Sequence, residues 1–220
     1  MGTVYGIGIN DRSVCGPGSF KVAEGKWEMF PEYQMWKGIM NRCFSDKEKS
    51  RRPACLESRC CDEWKYRSNF QNWYHNQKYR VDSTGKTLQV DKDILFINNQ
   101  LYSPETSVLV PQYVNLSVRK LSTDVPWVSK TPKGPRMLND FRKPWQYSIL
   151  CGDITYKRCA FQTQLDAHLE AQIHKINYLY EIIERYSKED CYDPRVEQGI
   201  INRINILQKA HHKKRICRIF

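Results

Sequence analysis

Apolar and polar positions alternate along this chain with two different periods, and the changes of period mark out its elements. After Pro31 the residues Trp36, Ile39, Met40 and Cys43 recur at i, i+3, i+4 and i+7, which lines one face of a helix and predicts one over about Pro31–Phe44. Ser68, an N-cap residue type, opens a second amphipathic segment bearing Phe70, Trp73 and Tyr74. From Thr87 to Tyr102 short apolar stretches flank Asn98-Asn99, a pair that tolerates the positive φ of a tight turn, so a β-hairpin is expected there. Pro111 then suits the first turn of a helix carrying Tyr113, Val114 and Val118. Further on, Gln146–Leu150 and Ile154–Phe161 flank the turn signal Cys151-Gly152-Asp153, predicting a second hairpin. Thr163 with Asp166 begins a long helix whose stripe is Leu165, Leu169, Ile173, Ile176, Tyr180 and Ile183. Asp193-Pro194 forms an N-cap and N1 pair for a last helix bearing Val196, Ile200, Ile204 and Leu207.

Two stretches lack any period. The Gly-rich residues 1–30 read as loops and short strands wrapped on another part of the chain, and Thr123–Pro144, with Pro126, Pro132, Gly134, Pro135 and Pro144, reads as a linker. The expected class is therefore α+β, in three segments: 1–122 with N-terminal helices and a strand-turn-strand-helix core, the linker 123–144, and 145–220 with a hairpin, a long helix and a basic tail.

A length of 220 residues with 40% hydrophobic residues is enough to bury a real core. No run approaches a membrane span, and the N-terminus lacks the layout of a signal peptide, so the chain is expected to stay in the cytoplasm and away from membranes. The net charge of +11 is large for this length and favours phosphate-rich partners over a merely solubilising surface. Nine cysteines without a secretion signal point to reduced thiols. Cys55, Cys60 and Cys61, with Cys43 upstream, lack paired C-x2-C spacing, which argues against structural zinc and for scattered buried thiols.

Several short motifs share one resemblance. They are Tyr33, Trp36 and Arg42-Cys43; Glu63-Trp64 with Phe70 and Trp73; Val90-Asp91-Lys92-Asp93-Ile94-Leu95; Tyr102-Ser103-Pro104-Glu105-Thr106; and Val110-Pro111. In this order they resemble phage-encoded proteins that join an HNH finger, of the His-Me finger endonuclease group, to an AP2-like DNA-binding region. The resemblance implies a ββα finger in which Asp91 and, twenty-four residues on, Asn115 hold Mg²⁺ or another divalent metal against a phosphate, both being hard oxygen ligands. The group's general base is a histidine, and Lys92 stands in its place; Thr106 stands where the group often has an Asn. An ordinary lysine must drop by roughly three units, about 4 kcal/mol, to act as a base at neutral pH, and Asp91 and Asp93 push the other way.

The catalytic candidates are thus Asp91, Lys92 and Asn115, and three readings of their finger stand side by side: a scaffold in which Asp91 and Asp93 cap a turn and Lys92 touches a phosphate, an active nuclease with a shifted base, and an unrelated hairpin. An AP2-like module reads DNA from its strands, which makes Tyr147, Tyr156, Lys157, Arg158 and Gln162 the candidate contacts, although a small packing domain with a basic surface has the same pattern. In the tail, Lys213, Lys214 and Arg215 are candidate phosphate contacts, and a frayed terminus is the alternative. Three functions follow: a double-stranded DNA-binding protein on a degenerate HNH finger, a divalent-metal-dependent homing-type endonuclease, and a phage protein that binds and blocks a host protein.

Overall fold

The computed structural model describes residues 2–121, 123–131 and 143–219, which fall into two compact units, Met1–Gln112 and Tyr113–Phe220. Helices and short strands are mixed in both, an α+β architecture with small sheets. Among the described residues no helix is long and apolar enough to cross a membrane.

The first unit opens with β1 (Gly2–Val4) antiparallel to β2 (Gly8–Asn10), the short helix α1 (Arg12–Cys15), and an antiparallel pair β3 (Ser19–Ala23) and β4 (Lys26–Met29). Then come α2 (Pro31–Phe44), with the bounds expected from its periodicity, and α3 (Asp46–Arg51). β5 (Arg59–Cys60) precedes α4 (Arg67–His75), β6 (Gln89–Asp91), β7 (Leu101–Tyr102) and β8 (Val108–Val110). The core is the expected face of α2, Trp36, Ile39, Met40 and Cys43, packed with Trp64, Phe70 and Tyr74. Trp36 donates its indole N–H to the Trp64 carbonyl at 2.8 Å, while the Trp64 ring meets Phe70 edge-on at 4.9 Å. The N-terminal arm lies on this core, since a Cβ at Gly8 would come within 2.8 Å of the Met40 side chain.

α4 is not capped as its sequence suggested. Tyr66 is its N-cap residue, and Ser68 lies inside the helix, where its backbone N–H donates at 3.0 Å to Asp11 of the arm. Burial alone would raise the Asp11 carboxyl, but the Ser68 hydrogen bonds overturn that and leave it below the usual carboxylate range. Beside it, the Arg67 guanidinium is 1% exposed and donates to Asn10 Oδ1 at 3.2 Å and to the Gly16 and Pro17 carbonyls at 2.9 and 2.8 Å. It also lies 4.8 Å from the Tyr33 ring centroid. A helix start and a buried cation therefore hold the arm, none of whose described apolar side chains is fully buried.

The hairpin expected over Thr87–Tyr102 does not form. β6 pairs instead with β8, antiparallel, with Gln89 opposite Val110 and Asp91 opposite Val108. β7 runs parallel to β5, so the segment between β6 and β7 is a loop. Asn98 does adopt a positive φ of 63°, as the pair allows, but the Asn99 side chain is engaged in holding the loop shut.

The second unit holds α5 (Gln112–Ser117, beginning at the division), β9 (Val128–Lys130), β10 (Trp145–Cys151), β11 (Ile154–Phe161), α6 (Gln164–Tyr186) and α7 (Pro194–His212). The strands form one antiparallel sheet in the order β11-β10-β9. Within the stretch 123–144 read as a linker, Val128–Lys130 are therefore a sheet strand, and Pro132, Gly134 and Pro135 lie outside the described residues. Thr163 caps α6 by accepting from the Asp166 N–H at 3.0 Å, and Asp193 caps α7 in front of Pro194.

α7 buries its expected residues Val196, Ile200, Ile204 and Leu207, whereas α6 does not bury its expected stripe. None of Leu165, Leu169, Ile173, Ile176, Tyr180 and Ile183 is fully buried; the inner face is Ala167, His168, Ala171, Gln172, Lys175, Leu179, Ile182 and Tyr186. Small Ala171 packs against Tyr147, Ile149 and Cys151 of β10, and the polar members satisfy nearby carbonyls: His168 that of Pro126, Gln172 that of Arg215, Lys175 that of Ser117. Close approach and hydrogen bonding, rather than side-chain size, select this face.

Replacing Arg67 by Met leaves the Gly16 and Pro17 carbonyls without their donor. The expected outcome is a loss of about 2–4 kcal/mol in denaturant unfolding of the first unit, with hydrogen exchange rising first over Asn10–Pro17.

Candidate functional site

At the end of β6 the chain turns back on the Asp91 side chain. Asp91 Oδ1 accepts from the backbone N–H groups of Asp93 at 2.8 Å and Ile94 at 2.6 Å, which tightens the turn and seats Ile94 in the core. Burial, with the Asp93 carboxylate second, pushes the Asp91 carboxyl up to about 6, against the pull of those two N–H groups. Lys92 is 8% exposed; its ammonium donates to Asp93 Oδ2 at 3.0 Å and to the Asn99 carbonyl at 2.9 Å. Asn99 returns the contact through its amide, donating to the Lys92 carbonyl at 2.6 Å and to the Leu101 carbonyl at 2.8 Å. Residues 92 and 99 thus clamp the loop from both ends, and the Lys92 ammonium sits 5.8 Å from the Tyr102 ring centroid.

Chemically this is a strut. An amine acting as a base needs a lone pair aimed at a proton, and this nitrogen donates to a carboxylate and a carbonyl instead. Thr106 donates its hydroxyl to the Leu101 carbonyl at 2.6 Å, so loop bracing is shared by Asn99 and Thr106. Asn99 carries only a turn signal in the sequence, and nothing in its spacing announces the clamp it makes with Lys92. Asn115 lies on α5 in the second unit, across the division from Asp91. Asp91 Oδ1 is taken up by two N–H groups and the Lys92 ammonium sits on the neighbouring Asp93, so a divalent cation held by Asp91 would draw on its second oxygen. Among the described residues no group of three or more His, Cys, Asp or Glu is placed to hold a metal ion. Cys43, Cys55 and Cys60 are buried and Cys61 is half-buried; burial raises the Cys43 and Cys61 thiols to about 11.

The β10–β11 register sorts the strand candidates onto two faces. Tyr147 faces α6, its hydroxyl 3.0 Å from His174 Nε2, and Tyr156 stacks on the same imidazole at 4.4 Å. Arg158, opposite Tyr147, pairs with Glu170 of α6 at 3.2 Å and lies over Phe161. Lys157 is opposite Ser148 on the other face, where Thr155 and Leu150 are the next cross-strand pair and all four are exposed. Gln162 is exposed just beyond the strand. The structure therefore brings Lys157 together with Ser148 and Thr155 and sends Tyr147, Tyr156 and Arg158 to the helix side. Period-two alternation carried that division, and would have found Ser148 and Thr155.

The basic tail is tied down. After α7 the N–H groups of Lys213, Lys214 and Arg215 close onto the carbonyls of Lys209, His211 and Ala210, with Lys214 at a φ of 48°. The three side chains remain exposed, while Gln172 donates to the Arg215 carbonyl at 3.2 Å. Two residues later, His168 Nε2 accepts from the Cys217 N–H at 3.0 Å, which leaves Nδ1 as the protonated nitrogen, donating to the Pro126 carbonyl at 3.2 Å. That tautomer is neutral, and burial holds His168 below the usual histidine range although the Pro126 bond acts the other way.

Compared with family models, with curated proteins and with solved structures, the chain matches none of them.

The turn at Asp91 needs an oxygen rather than a charge. Asp91→Asn is expected to unfold within about 1 kcal/mol of the parent in denaturant, and Asp91→Ala to lose about 1–3 kcal/mol as two N–H groups lose their acceptor. For the tail, the unfolded chain takes up a proton at His168 below about pH 6.5 and the folded chain does so only at lower pH, so this contribution is full above that value and is lost as pH falls. Hydrogen exchange over Arg215–Ile219 is expected to be protected at pH 7.5 and markedly less so at pH 5, and His168→Phe to lose protection at both.

Proposed function

We propose that this chain is a double-stranded DNA-binding protein of phage type, in which β6 and β8, with α5 next along the chain, descend from an HNH finger that no longer cuts. The observation that carries this reading is the lock on Lys92: the position of the histidine base is filled by an ammonium bound to Asp93 and Asn99. The order strand, loop, strand, helix supports the ancestry, with β6 and β8 antiparallel and α5 next in the chain. Binding rests on exposed cations. Lys157, with the hydroxyls of Ser148 and Thr155 beside it, offers an open sheet face to a groove, and Lys213, Lys214 and Arg215 stand on a tail whose backbone is already ordered. Pre-ordering matters here, because a cation on a fixed backbone loses less conformational freedom on meeting a phosphate than one on a frayed end.

Duplex affinity, followed by fluorescence anisotropy, is expected to fall at least about tenfold between 50 and 200 mM salt, and joint replacement of Lys213, Lys214 and Arg215 by Ala to flatten that slope. Incubation with supercoiled DNA in Mg²⁺ or Mn²⁺ is expected to leave it uncut. A metal-dependent product that disappears in Asp91→Ala would overturn the non-cleaving reading, and duplex binding indifferent to salt would overturn the binding one.

A further inference from the structure

The second unit contains a cavity of about 940 Å³ that borders the sheet face of the duplex reading at Ser148 and otherwise lies outside it. It exists because β10 outruns β9: their pairing ends at Tyr147 opposite Val128, with the Ser148 N–H donating to the Trp127 carbonyl at 2.8 Å, while β10 continues to Cys151. The space past the end of β9 is walled by Trp127 and Tyr178, and Leu116 and Leu150 lie along it although they are exposed. Trp127 holds a φ of 64°, a left-handed backbone that costs a non-glycine residue about 1 kcal/mol or more. Its indole is stacked on His168 at 5.7 Å, with the planes 11° apart. The chain tolerates strain to put this ring at the wall.

The charge lining the cavity is cationic. Arg119, Lys175 and Arg185 face it together with Asp153 and Glu181, three cations against two carboxylates. Lys175 is buried, donates to the Ser117 carbonyl, and places its nitrogen 5.9 Å from the Trp127 ring centroid and 5.5 Å from that of Tyr178. Arg185 covers the Tyr113 ring at 3.8 Å, so the opposite wall also pairs a cation with an aromatic face. Flat aromatic surfaces interleaved with cations, beside an apolar mouth, complement a planar ring joined to an anion. The volume lies in the range of small-ligand sites, roughly 300–1,000 Å³, and is too small for an extended macromolecular segment.

We infer that this cavity binds a single unpaired nucleotide, its base against Trp127 and Tyr178 and its phosphate toward Arg119 and Arg185. The nucleotide arrives either as a free mononucleotide or as an unstacked residue of a strand. The site shares only Ser148 among the residues named for duplex binding and does not rest on that reading.

The test uses the full chain in equilibrium dialysis against the four deoxynucleoside monophosphates, inorganic phosphate and a twelve-nucleotide single strand, with duplex anisotropy run in parallel. At least one monophosphate or the single strand is expected to bind at least about tenfold more tightly than inorganic phosphate, since the base adds stacking. Leu116→Glu, 54% exposed at the mouth, is expected to weaken that binding at least about tenfold by adding a carboxylate, and Arg119→Ala, also exposed, about fivefold by removing a cation, both leaving duplex affinity within about twofold. Binding of a monophosphate identifies the free source, and binding of the strand alone identifies the strand. Binding of neither, or binding indifferent to both variants, overturns the inference; loss of duplex binding alone bears on the DNA reading and leaves the cavity standing.

Discussion

A cation taken out of water has to be met by fixed oxygens, and this chain folds around several that are. Arg67 is the clearest: its guanidinium is buried, and Asn10, Gly16 and Pro17 are held in place by accepting from it. With Asp11 capping α4, that single side chain turns residues 1–18 from a glycine-rich tether into part of the first unit. Lys92 does the same on a smaller scale for the loop after β6, and Lys175 does it in the second unit by binding the Ser117 carbonyl where α5 ends. In each case the partner includes a backbone carbonyl, which gives direction to the bond; Lys92 also meets a carboxylate, that of Asp93.

This use of cations bears on where the net charge of +11 sits. Among the described residues four cations, Arg67, Lys92, Lys175 and Arg203, and four carboxylates, Asp11, Glu32, Glu48 and Glu189, are buried, so the buried charges balance and the excess lies elsewhere. On the sheet it is Lys130, over the Trp145 ring, and Lys157 with two hydroxyls for neighbours, Arg158 being paired with Glu170. Composition therefore gives the size of the excess and not its place, and the salt dependence of binding measures the cations that meet phosphate. The same reasoning sets Lys92 apart from a catalytic lysine, because a nitrogen that fastens a loop is more useful charged than neutral.

Local rules were legible wherever they decided the outcome. The faces of α2 and α7, the cap at Asp193-Pro194 and the turn at Cys151-Gly152-Asp153 all stand where periodicity and turn chemistry put them. Legibility failed where a partner distant in sequence intervened. Asn98-Asn99 carries a strong turn signal, yet β6 finds Val108–Val110, and Asn99 spends its amide on Lys92 and Leu101. Ser68 was a fair N-cap by type, but Asp11 reached across from the arm. β9 was hidden because three residues amid prolines carry no period, and only their pairing with β10 makes them a strand. Of the candidate site, the residue types were readable and their directions were not: Tyr156 and Arg158 sit one position either side of Lys157 and so share the opposite face.

α6 carries the widest implication. Its inner face mixes Ala167, His168, Ala171, Gln172 and Lys175 with Leu179, Ile182 and Tyr186, while Ile173 and Tyr180 stand at its surface. Drift in descendants of this chain is consequently constrained at some positions that look expendable and relaxed at some that look essential. Along this helix a shared ancestry would be written in persistent alanines and one buried lysine beside Leu179, Ile182 and Tyr186, with exposed residues such as Ile173 and Tyr180 free to come and go.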